Sequence, residues 1–172
     1  MILFLHGANV DADYLTPSNY PLLRRLASLA PVEAPLIQGD WLDAFDGLLT
    51  SLGPDDAIVG HSHGGAMALK WIAERAPGKA LSSFVGCAMP VWGQPDWDMS
   101  EFCLPADTEG AFDALGRVTI LQAQDDQIVD PAHADLYGAR IAGARVRHLR
   151  KGGHDLDDAE TTEALAKALG LS

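Results

Sequence analysis

A serine set between glycines, Gly60-His61-Ser62-His63-Gly64, is the stretch of this chain best suited to chemistry. A serine hydroxyl is a poor nucleophile at neutral pH. It becomes a good one when an imidazole takes its proton and a carboxylate holds that imidazole in the right tautomer. The chain carries six histidines to choose from. His61 and His63 flank the serine, with side chains expected to point away from its hydroxyl. His133 falls inside a helical pattern and His148 inside a strand. His6 ends the first strand beside Gly7, where it braces a loop and stands near any bound substrate. His154, in Gly152-Gly153-His154-Asp155, follows the last strand by a few residues on a loop and is the expected base. The acid is expected after the fifth strand, where Asp125, Asp126 and Asp130 cluster. Asp130 precedes Pro131 and reads as a helix N-cap. Chemistry alone does not separate Asp125 from Asp126. The chain order is serine, aspartate, histidine.

These side chains need a scaffold that brings distant segments to one edge, and the hydrophobic pattern supplies it. Strands are expected at Ile2–Leu5, Val32–Ile37, Asp56–Gly60, Leu81–Ala88, Val118–Ala123 and Arg145–Leu149. Helices are expected at Pro21–Ala30, from Trp41 to Leu49 behind an Asp40 cap, and at Gly64–Arg75, Pro131–Ile141 and Asp158–Leu169. Alternation of this kind predicts an α/β fold, a three-layer α/β/α sandwich around a mostly parallel six-stranded sheet. Pro35 places the second strand at an edge. With right-handed crossovers the expected order is then 2-1-3-4-5-6. The reversal falls between the first and third strands, where open α/β sheets bind ligands. The loop His6-Gly7-Ala8 and the turn holding Ser62 meet there.

Composition limits the partners. The 172 residues are 48% hydrophobic and 21% charged, which suits one globular domain over residues 1–172. A net charge of −12 argues against nucleic acid and anionic membranes. Met1 to Leu5 is too short and lacks the basic flank of a signal peptide, and no apolar run approaches a membrane span. Cys87 and Cys103 show no metal-ligand spacing, and so sparse a pair suits a reducing compartment. A cytoplasmic protein that needs neither metal nor cofactor is expected. The segment 89–110 is irregular and lid-like; its Trp92 and Trp97 are suited to lining an acyl pocket, or to covering the sheet edge as core. Arg145, Arg147, Arg150 and Lys151 read as a charged edge strand that resists sheet-to-sheet pairing, rather than as a site for an anionic substrate.

Four signatures together resemble one family: His6-Gly7, Gly60-His61-Ser62-His63-Gly64-Gly65, Asp125-Asp126-Gln127-Ile128-Val129 and Gly153-His154. Along its whole length the chain resembles the α/β-hydrolase fold in a short form, similar to the small serine hydrolases of the retinoblastoma-binding-protein type and their bacterial relatives. The resemblance implies a triad of Ser62, Asp126 and His154, with Asp126 identified by the residue and two apolar positions that follow it. In this fold the residue after the nucleophile, His63, supplies one oxyanion amide. The resemblance implies that Ala8 supplies the second. The expected activity is hydrolysis of small acyl esters, with His6, Trp92 and Trp97 facing substrate. A hydrolase-fold interaction module and an acyltransferase using the same residues are the other expectations left open.

Overall fold

Strand β1 (Ile2–Leu5) is buried on both faces, with Ile2 and Phe4 packed into one core cluster and Leu3 and Leu5 into another. That period of two recurs along β2 (Ala57–His61), β3 (Leu81–Cys87), β4 (Leu115–Ala123) and β5 (Arg145–Leu149). Ile58, Phe84 and Ile120 face the side of Leu3 and Leu5, and Val59, Val85 and Leu121 that of Ile2 and Phe4. In the computed structural model, which describes residues 1–171, the five strands are all parallel and run in the order β1-β2-β3-β4-β5. Helices α1 (Pro21–Ala27) and α5 (Ala159–Leu169) cover one face; α2 (Trp41–Leu48), α3 (His63–Arg75) and α4 (Ala132–Arg140) cover the other. Each fully buried Leu, Ile, Val or Phe contributes roughly 1.5–3 kcal/mol, so both layers are needed to hold the sheet. Among the described residues no helix is long and apolar enough to cross a membrane.

The sheet corrects one expectation. Val32–Ile37 is not a sixth strand, and the order is sequential rather than 2-1-3-4-5-6. The segment does run parallel outside β1, but only Glu33 bridges, to Leu3, through Phe4 N–H to Glu33 O (2.7 Å) and Glu33 N–H to Ile2 O (3.0 Å). Pro31 and Pro35 bracket this bridge, and neither can donate to a ladder. One residue of the expected reversal survives, on the side of β1 where it was expected. Helix α1 is also a turn shorter than the pattern suggests, and β4 begins earlier, at Leu115.

Two glycines set how closely the helix after β2 approaches the sheet. A Cβ on Gly64 would collide with the backbone oxygens of Leu5 and His6, and one on Gly60 with the backbone of Gly65. Helix α3 therefore starts directly against β1 and β2, which only glycine at these positions permits.

A candidate active site at the carboxyl edge of the sheet

Ser62 lies between the end of β2 and the first residue of α3, at φ 51° and ψ −125°. A non-glycine residue with positive φ is strained, and such strain is concentrated where a side chain must be presented in a fixed direction. The turn is held by Ser62 N–H donating to Cys87 O at 2.7 Å and Ala66 N–H to Ser62 O at 3.2 Å. Ser62 opens into a cavity of about 830 Å³ at the carboxyl ends of the strands. His154, on the loop after β5, lines the same cavity.

The two neighbouring aspartates after β4 have different partners. The Asp126 carboxylate is fully buried, and its Oδ2 meets His154 Nδ1 at 3.0 Å. Its Oδ1 accepts the amides of Ile128 (2.8 Å) and Val129 (3.0 Å), and Gln122 Nε2 donates to Oδ2 at 2.8 Å. Burial alone would raise the Asp126 pKa, but the bonds from His154, Val129 and Ile128 outweigh it and hold the carboxyl below its ordinary range. An ionised carboxylate only accepts, so His154 Nδ1–H donates to it, and in the neutral imidazole Nε2 is the nitrogen free to accept. Asp125 instead takes Gly153 N–H on Oδ1 at 2.8 Å, and so holds the backbone of the histidine loop. Asp130 stands one residue before the N-cap of α4, which is Pro131, and its Oδ1 accepts Ala132 N–H at 2.9 Å.

The remaining expected residues also reach this cavity. Ala8 and His63 line it, and neither amide donates to an acceptor among the described residues, as suits donors kept for a ligand. His6 lines it but spends both ring nitrogens on structure: Nδ1–H donates to Gly7 O at 2.7 Å, and Nε2 accepts Ile37 N–H at 2.8 Å. Trp92 and Trp97 pack edge to face at 5.0 Å and form one wall with Met99 and Phe102. The segment 89–110 that carries them has one short helical turn, Ser100–Phe102. It is pinned to α3 and α4 by Lys70 Nζ to Cys103 O (2.8 Å), Tyr137 Oη to Pro90 O (2.7 Å) and Val91 N–H to His133 Nδ1 (2.8 Å). The basic group of β5 lies elsewhere: Arg145 and Arg147 line a separate cavity between β4, β5 and α5. Among the described residues no group of three or more His, Cys, Asp or Glu is placed to hold a metal ion.

Sequence reasoning missed Trp41, Tyr20 and Gln122. Trp41 reads as a core residue of an amphipathic helix, yet it lines the cavity and packs against His6 and His63. The sharp Asp40 cap at the cavity edge is the one signal that could have placed it.

Burial drives the His61 and His63 pKa values down to about 4, with nearby His154 adding to the effect on His61. Both are therefore neutral in the folded protein at neutral pH. Unfolded, each binds a proton near the ordinary 6.5; folded, each resists until about 4. Between those values the unfolded chain holds more protons, so stability falls as pH falls, by up to about 1.4 kcal/mol per pH unit for each histidine. Urea denaturation at about pH 7 and about pH 5 should show this loss, and His63→Phe should remove about half of it. Equal stability at the two pH values would contradict the burial of neutral imidazoles.

No protein-family model and no curated protein sequence matches the chain. Solved structures do match in fold. The ydeN gene product from B. subtilis superposes with a TM-score of 0.76 at 18% identity, covering 98% of both chains. A carboxylesterase structure from the thaumarchaeon Nitrososphaera gargenis gives 0.70 at 14% identity, over 99% of this chain and 89% of the other. The meta-cleavage product hydrolase CumD from Pseudomonas fluorescens gives 0.67 at 14% identity, over 99% and 89%. At such identities the likeness is one of fold.

Proposed function

We propose that this chain, which has the α/β-hydrolase fold, is a serine hydrolase of small acyl esters. Ser62 Oγ attacks the acyl carbonyl while His154 Nε2 takes its proton. The proton then passes to the leaving alcohol, and an acyl-enzyme remains for water to cleave. Asp126 holds the imidazole tautomer and stabilises the imidazolium that forms. The amides of His63 and Ala8 receive the oxyanion. The observation that carries this reading is the Asp126–His154 contact at 3.0 Å at the rim of the cavity into which Ser62 opens. The scheme uses no metal or cofactor, and a small neutral ester fits a cavity with no Lys or Arg among its described lining residues.

The test is labelling of the purified protein by a fluorophosphonate, followed by hydrolysis of p-nitrophenyl esters of increasing chain length. Labelling at Ser62 with ester turnover is expected; an unlabelled, inactive but folded protein would overturn the proposal. Chain length reports on the aromatic wall. Each methylene buried against it contributes roughly 0.8 kcal/mol, about fourfold in kcat/KM, until the wall is reached. The segment 89–110 is too short for a cap domain, so the gain should stop early, with acetyl to hexanoyl esters favoured over palmitoyl. Trp92→Ala and Trp97→Ala should lengthen the preferred chain and leave acetate hydrolysis nearly unchanged. A preference unmoved by either variant would remove these residues from the acyl wall.

A further inference from the structure

One hydrogen-bond chain runs behind Ser62 and touches neither its hydroxyl nor the His154 ring nitrogens. Gly7 N–H donates to Tyr20 Oη at 3.0 Å, Tyr20 Oη lies 2.5 Å from His61 Nδ1, and His61 Nε2 lies 2.9 Å from the carbonyl oxygen of His154. The proton positions follow from the ends of the chain. A carbonyl oxygen only accepts, so His61 Nε2 carries a proton and donates it. An amide only donates, so Tyr20 Oη accepts from Gly7 and gives its own hydrogen to the bare Nδ1 of His61. Each ring nitrogen of His61 is then used once, the hydroxyl of Tyr20 accepts once and donates once, and all the bonds run in one direction.

The chain joins segments far apart in sequence, at the ends of β1, β2 and β5 and the start of α1. Gly7 precedes Ala8 on the loop after β1, Tyr20 stands at the start of α1, and His61 is the last residue of β2, next to Ser62. His154 sits on a loop where Gly152, Gly153 and Leu156 all have positive φ. Tyr20 is itself fixed, 2% exposed and edge to face on Phe4 at 5.2 Å. The His61 ring also packs 5.0 Å from the His154 ring.

We propose that Tyr20 and His61 are positioning residues that lock the Ala8 loop and the His154 loop to the nucleophile turn through this chain. The proposal rests on the serine-hydrolase reading above. The structure implies a division of labour on His154: Asp126 orients its ring from one side, Asp125 holds the amide of Gly153 just before it, and His61 holds its carbonyl. Tyr20 extends that last restraint to the oxyanion loop. Misplacement of a reacting group by about 1 Å can cost about 10²-fold in rate, so the effect should be large for residues that touch no substrate.

The test compares wild type with Tyr20→Phe, His61→Gln and His61→Asn, using p-nitrophenyl acetate kinetics, fluorophosphonate labelling and thermal melts. Gln extends as far as imidazole Nε2 and keeps a donor for the His154 carbonyl; Asn reaches only the Nδ1 position and loses it. Tyr20→Phe and His61→Asn should lower kcat by about 10- to 100-fold with KM changed less than about twofold, and His61→Gln, which keeps the bond to the His154 carbonyl but not the acceptor for Tyr20, should lose clearly less than His61→Asn. All three should melt cooperatively. Nitrogen-15 NMR of the wild type should show His61 protonated on Nε2 and bare on Nδ1. Full activity in folded Tyr20→Phe and His61→Asn, equal losses in the Gln and Asn variants, or the opposite His61 tautomer would each overturn the proposal. A wild-type protein that does not react with the fluorophosphonate would overturn both this proposal and the hydrolase reading, and is recognised before any variant is compared.

Discussion

Ser62→Ala is expected to abolish fluorophosphonate labelling and to lower ester turnover by on the order of 10⁶, with the fold intact. The loss is large because nothing else in the cavity can take the place of the hydroxyl. In the proposed mechanism His154 would then be a base with no adjacent nucleophile, and the amides of His63 and Ala8 would act only on attack by free water. The fold should survive because the turn depends on backbone bonds, Ser62 N–H to Cys87 O and Ala66 N–H to Ser62 O, which alanine keeps. Alanine also inherits the strain of φ 51°. Ser62→Gly, which relieves it, should be as inactive but more stable than Ser62→Ala by about 1 kcal/mol. Turnover retained by pure Ser62→Ala would show that the nucleophile lies elsewhere.

The turn that carries Ser62 was legible in the sequence because its constraints are steric and local. Gly60 and Gly64 stand where backbone from Gly65 or from the end of β1 leaves no room for a Cβ, and a strand and a helix pattern flank them. The histidine loop was legible for a related reason: a glycine pair directly after a charged strand has few uses other than a sharp turn at the sheet edge. The failed strand at Val32–Ile37 has the opposite cause. Its apolar pattern is that of a strand, and Pro35 was read as a mark of an edge. Two prolines around one bridging residue leave too few amides for a ladder at all.

Contacts between elements far apart in the chain were not legible. Tyr20 and His61 are 41 residues apart, and no periodicity links them. His61 could be expected to turn away from the serine hydroxyl. Where it turned, toward the His154 carbonyl and Tyr20, depended on how α1 docks beside β1 and β2. Trp41 was placed on the correct helix but given no part in the site, because an aromatic residue on an apolar helical face looks the same whether it meets a sheet or a cavity. The same ambiguity holds for Trp92 and Trp97, which line the cavity from a loop pinned to α3 and α4.

Asp126→Asn is expected to lower kcat by about four orders of magnitude, while Asp125→Asn should stay within about tenfold of wild type. The sequence left these neighbours open because both occupy one turn after one strand. Their hydrogen bonds separate them. Oδ1 of residue 126 is claimed by the amides of Ile128 and Val129, so an asparagine there must keep its oxygen on those amides and turn its NH₂ toward His154. That NH₂ would face His154 Nδ1, now forced to accept, and would push the ring proton to Nε2, where a base is needed. It would also face the Gln122 NH₂, which in wild type donates to Oδ2, so the variant gains a donor–donor clash in a buried site. Loss of activity should therefore come with some loss of stability. At position 125 the native contact is a single oxygen accepting Gly153 N–H, and asparagine supplies an oxygen in the same place. Steady-state kinetics on the two purified variants, with melting curves alongside, distinguishes them directly. An inactive Asp125→Asn beside an active Asp126→Asn would move the acid by one residue and would require the Asp126–His154 contact to be structural.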